Sequence, residues 1–295
     1  MSYDITPLHP FFAVEVKGYN AAGPITDEMV EFLEETMAKY AVVVLPDQEL
    51  TDEQQIDFAR YFGPRETPAP AASGNKQPVY RLPKYLFDAS NLGIDNEILP
   101  EDHPRRAMRN GDRLWHTDSS FNPLPTKWSM LHGRIIPPEG GDTEFADTRA
   151  AYDDLEEEVK AQMENLVVEH SLWHSRRKGG FDDVTPTHEQ SLPPAYHKLV
   201  RTDPRSGRKC YITGAHARYI PGLSEEGSED MLQALTNFAT QEKYVYVHKW
   251  RTNDLVIWDN RCTLHRGTPY DDIAHKRDMR RTTIDEFAPS WSFVA

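Results

Sequence analysis

The amino-acid sequence predicts a mainly β protein with flanking helices, either a sandwich or a barrel. Short strand-like runs recur after residue 113 and are separated by turn residues, which is typical of both architectures. Hydrophobic residues make up 38% of the chain and include 12 Phe, 13 Tyr and 6 Trp, enough to build a buried core. A length of 295 residues allows one large or two small domains. We expect a single domain over 1–295, because single-domain β-barrel enzymes commonly reach this size.

The amino-terminal part predicts an alternation of strands and helices. Thr51 and Gln54 have the spacing of a capping box, the reciprocal pair of hydrogen bonds that starts many helices. The apolar positions that follow them recur at roughly helical spacing. The predicted order is the strand FFAVEV, the helix TDEMVEFLEETMAKY, the strand AVVVL and the helix TDEQQIDFARYF.

The segment from about 65 to 112 differs in composition from the segments on either side. It is rich in Pro, Ala, Asn and charged residues and contains few periodic runs. This composition predicts a long irregular region. Because long loops of this kind often close over binding sites, we expect a lid here.

Beyond residue 113 the sequence predicts mostly strands. The polar, turn-rich segment 175–194 predicts an insertion between two of them. The runs predicted as strands are KWSMLHGRII, NLVVEHSLW, KLVRT, KCYIT, KYVYVHKW, DLVIWD and MRRTTIDEF. One helix is predicted over 228–241, with these apolar residues on one side: Met231, Leu232, Leu235 and Phe238.

Charge and cysteine content exclude several classes of partner. The chain has 33 basic and 47 acidic residues and a formal net charge of −14, so we expect no general attraction to nucleic acid or to an anionic membrane. Cys210 and Cys262 are the only cysteines, which argues against a disulfide framework and fits a reducing cytoplasm. No export signal or membrane span is predicted. The oligomeric state is left open, a homo-oligomer included.

The run RLWHTDSSF contains the first candidate pair of metal ligands. His116 and Asp118 lie two residues apart, and on an extended strand this spacing points both side chains to the same face. The pair has little weight by itself, because a chain with 12 His and 47 acidic residues contains such matches by chance.

A second imidazole is offered by His265 in WDNRCTLHRG, directly after the predicted apolar strand DLVIWD. Two histidines and one carboxylate on one face of an octahedral ion leave three positions open. That arrangement suits Fe(II) that must bind a bidentate co-substrate and O2. Catalytic zinc usually keeps one open position, so a zinc hydrolase is the second interpretation.

The run HKRDMRRTT predicts a strand with cations on both faces. Arg277 and Arg281 share one face and lie about 13 Å apart, four steps of roughly 3.3 Å. They would be a solvated basic edge if they faced outwards. If they face inwards, they would hold two separate carboxylates, since a guanidinium binds a carboxylate through paired, charge-assisted hydrogen bonds. An anionic co-substrate and a small anionic organic substrate would require such a pair. The sequence lacks the nucleophile-elbow, phosphate-loop and dinucleotide-binding motifs of competing enzyme classes.

Taken together, WHTDSSF, PPEGGDTEFAD, WDNRCTLHRG and KRDMRRTT resemble the taurine/2,4-dichlorophenoxyacetate dioxygenase family of Fe(II)- and 2-oxoglutarate-dependent enzymes. The resemblance covers nearly the whole chain and implies a double-stranded β-helix (jelly roll) fold. It implies that His116, Asp118 and His265 bind the iron. Thr143 and Arg277 would then bind the distal carboxylate of 2-oxoglutarate, through one neutral and at least one charge-assisted hydrogen bond.

The resemblance also suggests substrate contacts. Arg281 would face the acidic group of the substrate. His216, in GAHARYIPGL, and Ser90 and Asn91, in an ASN segment, match family blocks near the substrate pocket. A structural ion pair, a buried hydrogen-bonded histidine and loop-shaping residues are the respective alternatives.

The implied reaction is hydroxylation of a small anionic substrate. An aryloxyalkanoate such as 2,4-dichlorophenoxyacetate is the first expectation, with ether cleavage to a phenol and a keto or aldehyde acid. Taurine or another sulfonate or alkanoate is the second. A jelly-roll protein that binds metal without catalysis is a further alternative, but it gives no reason for two arginines on one face.

Overall fold

A computed structural model describes residues 3–67, 80–203 and 205–286. Its strands are β1 (Asp4–Pro7), β2 (Val14–Lys17), β3 (Val42–Leu45), β4 (Phe87–Asp88), β5 (Thr126–Ile135), β6 (Thr143–Asp147), β7 (Val167–His170), β8 (Ala195–Lys198), β9 (Val200–Thr202), β10 (Lys209–Tyr211), β11 (Ala217–Tyr219), β12 (Val245–His248), β13 (Leu255–Asp259), β14 (Thr263–Gly267) and β15 (Asp278–Asp285). The α-helices are α1 (Asp27–Tyr40), α2 (Asp52–Ala59), α3 (Pro104–Arg109), α4 (Thr148–Asp153), α5 (Glu157–Met163), α6 (Leu172–Lys178), α7 (Pro186–Ser191) and α8 (Glu225–Ala239). Short 3-10 helices occupy Arg60–Phe62, Asn110–Arg113 and Glu242–Tyr244.

The amino-terminal alternation of strands and helices is confirmed. Thr26 caps α1 by accepting a hydrogen bond from the Met29 amide, and the left-handed Ala41 ends that helix. The capping box of Thr51 and Gln54 is present at the start of α2. These local signals fix the helix ends, and the buried face of α1 then packs on the sheet.

Two sheets form the centre of the molecule. The large sheet has the strand order β1-β2-β3-β13-β5-β15-β4, and a smaller sheet has the order β12-β6-β14. All pairings are antiparallel apart from that of β2 with β3. Two further small sheets, β11-β7-β8 and β10-β9, lie outside this pair.

A buried cluster joins the large sheet to the smaller one. Phe145 of β6 packs with Trp258 of β13, their ring centroids being 5.4 Å apart. Leu131 of β5 and Met279 of β15 belong to the same cluster. Strands β6 and β15, which carry Thr143 and Arg281, are therefore held by one shared core.

A second cluster forms around α8. Leu232 and Leu235 are buried in it, and Met231 and Phe238 pack against it half-buried. The predicted apolar side of this helix is confirmed. None of the described helices is long and apolar enough to cross a membrane.

The other predicted elements agree with the structure in part. Leu172 and Trp173 were expected in a strand but belong to α6, because Ser171 caps the helix by accepting from the His174 amide. The insertion 175–194 lies between β7 and β8 as expected and contains the end of α6 and all of α7. The predicted lid region holds β4, α3 and a 3-10 helix. Its residues 68–79 lie outside the described residues, as does the Phe at the end of MRRTTIDEF.

Candidate metal centre

His116, Asp118 and His265 come together in the interior. One ligand atom from each lies within 4.8 Å of the others, and all three residues are buried. His265 Nε2 is 3.6 Å from Asp118 Oδ2, and the two imidazole centroids are 4.2 Å apart. Among the described residues this is the one group of His, Cys, Asp and Glu with such spacing.

The backbone brings the two histidines together. The His116 amide donates to the His265 carbonyl at 3.0 Å, and the His265 amide donates to the His116 carbonyl at 2.8 Å. His265 lies on β14, whereas His116 forms only this isolated bridge. Asp118 already belongs to a turn in which Ser119 has a φ of 49°. The expectation of an extended strand over 116–118 is therefore wrong beyond His116, and the turn delivers the carboxylate to the histidines.

The protonation states suit metal binding. Burial would raise the pKa of Asp118, but Arg281 and the two histidines outweigh it and hold that pKa well below its ordinary value. Burial, with His116 nearby, lowers the pKa of His265 to about 3. At neutral pH the carboxylate is ionised and the His265 imidazole is neutral, as metal ligands must be.

The donor set fits divalent iron. Nδ1 of His116 faces the Leu114 carbonyl at 2.7 Å, which turns Nε2 of that ring away from the carbonyl and leaves it free for a metal. Two imidazoles and one carboxylate, with no cysteine in the group, are the donors of Fe(II) sites with open positions.

Arg277 is a half-buried cation, and the described part of the chain gives it no carboxylate counterion and its buried Nε no hydrogen-bond partner. Its guanidinium donates only to the carbonyls of Gly141, at 3.1 Å, and Ala89, at 3.4 Å. Among residues 3–67, 80–203 and 205–286, no carboxylate oxygen lies within 4.0 Å of it. Burial lowers the pKa of Arg277, which signals an environment in which a positive charge is costly. An anionic ligand would relieve that cost.

Thr143 lies at the start of β6, two residues after Gly141. Its hydroxyl is buried and accepts a hydrogen bond from Trp250 Nε1 at 3.0 Å, which leaves the hydroxyl proton available to a ligand. A Cβ on Gly141 would approach Arg277 Nε to 3.3 Å, and Gly141 itself has a positive φ of 69°. This glycine therefore permits the close approach of Arg277 to the β6 turn.

Arg281 faces the metal ligands, and its neighbour Arg280 faces the other side of the sheet. Arg281 Nη1 donates to Asp118 Oδ1, and its guanidinium lies 4.8 Å from the Phe87 ring centroid. Arg280 instead pairs with Asp52 at 2.6 Å. The predicted alternation is confirmed at these two positions. Arg277, which was expected on the same strand, lies just before β15, and the register shifts between Asp278 and Met279, so the regular strand spacing predicted between Arg277 and Arg281 is wrong. In this structure Arg281 is paired with a predicted metal ligand.

His216 lies beside the triad. Its ring centroid is 5.8 Å from that of His116 and 4.9 Å from that of Phe121. Burial, with His116 nearby, holds the pKa of His216 well below its usual value, so the ring is neutral. Its Nδ1 is buried and has no hydrogen-bond partner in the described part of the chain. A substrate contact by His216 stays a prediction.

Ser90 and Asn91 are bonded to other parts of the protein. Ser90 Oγ donates to Asp88 at 2.5 Å and accepts from Arg81 at 2.9 Å. The Asn91 side chain accepts from the Arg277 amide at 2.8 Å and donates to the carbonyls of Asp272 and His275. Asn91 thus supports the segment that presents Arg277, and a direct substrate contact by either residue stays a prediction.

Comparison with known families shows which family the chain belongs to. The model of the taurine catabolism dioxygenase TauD, TfdA family matches residues 4–283. The chain belongs to this family. The resemblance expected from the four sequence blocks is therefore confirmed.

Two relatives match over nearly the full length. An alpha-ketoglutarate-dependent 2,4-dichlorophenoxyacetate dioxygenase of Cupriavidus pinatubonensis is 39% identical, over 97% of this chain and 99% of the relative. An (S)-phenoxypropionate/alpha-ketoglutarate-dioxygenase of Sphingobium herbicidovorans is 38% identical, over 96% of this chain and 95% of the relative. The crystal structure of AAD-2 in complex with Mn(II) and N-oxalylglycine superposes with a TM-score of 0.90 at 43% identity. It covers 98% of this chain and 100% of that chain.

Three buried polar residues around the triad were missed from the sequence. Glu66 accepts hydrogen bonds from Ser119 at 2.8 Å, and burial raises the pKa of Glu66 to about 7. Ser129 and Asn260 contact Asp118 directly. Asn260 lies within the family block WDNRCTLHRG, which could have drawn attention to it, whereas Glu66 falls in the segment interpreted as an irregular lid and gives no such signal.

Proposed function

We propose that this protein is an Fe(II)- and 2-oxoglutarate-dependent dioxygenase that hydroxylates a small anionic aryloxyalkanoate such as 2,4-dichlorophenoxyacetate. The observation that carries the proposal is the buried His116, Asp118 and His265 triad with Arg277 and Arg281 presented from one segment. Relatives at 39% and 38% identity named for 2,4-dichlorophenoxyacetate and (S)-phenoxypropionate support this substrate class.

The fold that positions this site is a double-stranded β-helix in a single domain. Consecutive strands from β12 onwards alternate between the two central sheets: β12 and β14 belong to the smaller, β13 and β15 to the larger. This alternation is what a jelly roll requires. Both cysteines are free and buried, which fits a reducing cytoplasm.

The co-substrate site uses Arg277 and Thr143. The Arg277 guanidinium pairs with the distal carboxylate of 2-oxoglutarate, and the Thr143 hydroxyl donates a second hydrogen bond to it. When bound at His116, Asp118 and His265, iron with O2 couples the oxidative decarboxylation of 2-oxoglutarate, to succinate and carbon dioxide, to insertion of one oxygen atom into a substrate C–H bond. The protein residues bind and orient both acids and keep water out of the reaction.

Arg281 binds the substrate carboxylate. Its contact with Asp118 places the guanidinium beside the metal ligands, so an acid held by it lies next to the reacting centre. Hydroxylation of the carbon bonded to the ether oxygen gives a hemiacetal. As the hemiacetal hydroxyl becomes a carbonyl and loses its proton, the bond between the hydroxylated carbon and the ether oxygen breaks. The ether oxygen stays on the ring and takes up a proton, which releases a phenol and a keto or aldehyde acid.

A substrate panel tests this function. Phenoxyacetate, both enantiomers of a phenoxypropionate, and taurine would each be supplied with Fe(II), 2-oxoglutarate and O2, with succinate and the organic product measured. We expect equal amounts of phenol and succinate from at least one aryloxy acid. Sulfite from taurine without any phenol would move the substrate class to sulfonates. Product formation without O2 or 2-oxoglutarate would instead indicate a hydrolase.

Arg281→Leu should make the enzyme nearly indifferent to the substrate charge. Wild type should prefer a phenoxyacetate-type acid over its neutral amide, and the variant should scarcely distinguish them, because the leucine cannot pair with the acid. The affinity for 2-oxoglutarate should stay close to that of wild type. Initial rates with acid and amide at saturating iron measure this change, since saturation masks any loss of metal affinity from the lost Asp118 contact.

Arg280→Leu is the matched control, because it removes the neighbouring arginine on the opposite face of the strand. It should keep the preference for the acid. If wild type and Arg281→Leu discriminate acid from amide equally, Arg281 does not bind the substrate anion. The Lys or Arg side chains of the 65–112 lid would then be the better candidates.

A further inference from the structure

A buried amide and a buried hydroxyl connect the backbone of Asp118 to its carboxylate. Asn260, in the turn between β13 and β14, accepts a hydrogen bond from the Asp118 amide at 3.0 Å through its Oδ1. Its Nδ2 donates to Ser129 Oγ at 2.9 Å. Ser129 Oγ donates in turn to Asp118 Oδ2 at 2.6 Å, which closes a ring of contacts.

The direction of these hydrogen bonds follows from the chemistry of the partners. The oxygen of the Asn260 side chain also accepts from Trp258 Nε1 at 2.9 Å. A backbone N–H and an indole N–H can only donate, so the atom that faces both must be the carbonyl oxygen of the amide. The NH2 group then faces Ser129. The serine hydroxyl accepts from it and retains its own proton for the carboxylate.

The Ser129 hydroxyl binds the carboxylate oxygen of Asp118 that faces His265. Oδ2 of Asp118 is the atom that lies 3.6 Å from His265 Nε2, and it receives the Ser129 proton. Oδ1 receives Arg281. The carboxylate is thus held at both oxygens and the backbone at the amide, which leaves little freedom to rotate away from the histidines.

We propose that Ser129 and Asn260 are positioning residues that set the orientation of Asp118 for metal binding. The inference rests on the proposed function, since it concerns the same metal site. Ser129 lies within β5 and is fully buried, and Asn260 is 3% exposed. A buried hydroxyl and amide carry a desolvation cost that alanine and leucine would avoid, so their placement here calls for a compensating role.

Binding of Mn(II) to the metal-free protein, in the absence of substrate, tests the inference without relying on turnover. Ser129→Ala should weaken Mn(II) binding by about 10- to 100-fold, the range typical for partners that orient a metal ligand. Ser228→Ala is the matched control. It removes an equally buried hydroxyl in α8, where Ser228 donates to the Ser224 carbonyl, and it should bind Mn(II) as wild type does.

Asn260→Asp separates the effect of Asp118 orientation from the effect of charge near the metal site. The substitution keeps an oxygen for the Asp118 amide and for Trp258 but replaces the donor to Ser129 by an acceptor, which turns the serine proton away from Asp118. A new negative charge beside the site would by itself strengthen cation binding, so a weaker Mn(II) affinity isolates the loss of orientation. In this background, Ser129→Ala should have an effect of less than about threefold, because the two residues act through the same hydrogen bond.

The outcomes distinguish three cases. Weak binding by Ser129→Ala, together with a small further effect in the Asn260→Asp background, supports the inference. Binding by Ser129→Ala within threefold of wild type, or effects of the two substitutions that multiply, overturns it. If wild type and His265→Ala bind Mn(II) equally, the triad is not the metal site and the proposed function itself fails. Circular dichroism and melting temperature establish that each variant is folded.

Discussion

Alanine at His116, Asp118 or His265 should abolish turnover of 2-oxoglutarate and of the organic substrate. Each substitution removes one of three protein ligands, and the described part of the chain offers no other His, Cys, Asp or Glu group with ligand spacing that could take its place. Oxygen consumption and succinate formation measure the loss. Metal content after dialysis against Fe(II) shows whether it arises from a failure to hold the metal.

His188→Ala is a suitable control for the two histidine variants. His188 lies in α7, where it stacks on Trp173 and takes part in a capping box outside the site. It should keep normal turnover and metal content. Normal turnover by any one of the triad variants, with the fold preserved, would remove that residue from the site.

Arg277→Ala should raise the concentration of 2-oxoglutarate required for half-maximal rate while leaving metal binding nearly intact. The guanidinium is half-buried with a buried Nε, and its hydrogen bonds in the described chain are to carbonyls, so the co-substrate carboxylate would be its anionic partner. Loss of a charge-assisted contact in such a site costs on the order of 2–5 kcal/mol, or roughly 30-fold to several thousand-fold in affinity. Titration of the anaerobic Fe(II) protein with 2-oxoglutarate, followed by the visible charge-transfer band, measures it.

Two further variants make the Arg277 result specific. Arg277→Lys should fall between wild type and alanine, because an ammonium keeps the charge but loses the paired planar geometry. Arg280→Ala removes an arginine from the opposite face and should leave the 2-oxoglutarate affinity unchanged. An affinity unaltered in Arg277→Ala would reassign this arginine to a structural role.

Local sequence signals predicted much of the fold. The capping box of Thr51 and Gln54 and the apolar side of α8 were correctly predicted, since these features depend on residues a few positions apart. The start of α6 was missed because Leu172 and Trp173 continue the strand-like run of β7, whereas the Ser171 cap starts a helix. The apolar pattern there was a weaker signal than the capping serine.

The candidate site was predicted unevenly for a similar reason. Spacing and family resemblance identified the triad and the two arginines, but the turn at Asp118 could not be read from a two-residue spacing. The contact of Ser129 with Asn260 joins a strand to a turn far along the chain. Such a contact leaves no local pattern, so it emerged only from the three-dimensional arrangement.

The pair of backbone hydrogen bonds between His116 and His265 has a consequence for folding. These residues are far apart in sequence, so the bridge cannot form until most of the chain has been brought together. Since the two histidines come together only in the folded chain, a bound metal should increase the free energy of unfolding of the whole protein. Hydrogen exchange at the two bridged amides should therefore slow on addition of Mn(II), by a factor that tracks the increase in global unfolding free energy. Exchange that slows at these amides alone would show that the metal stabilises only the structure around the bridge.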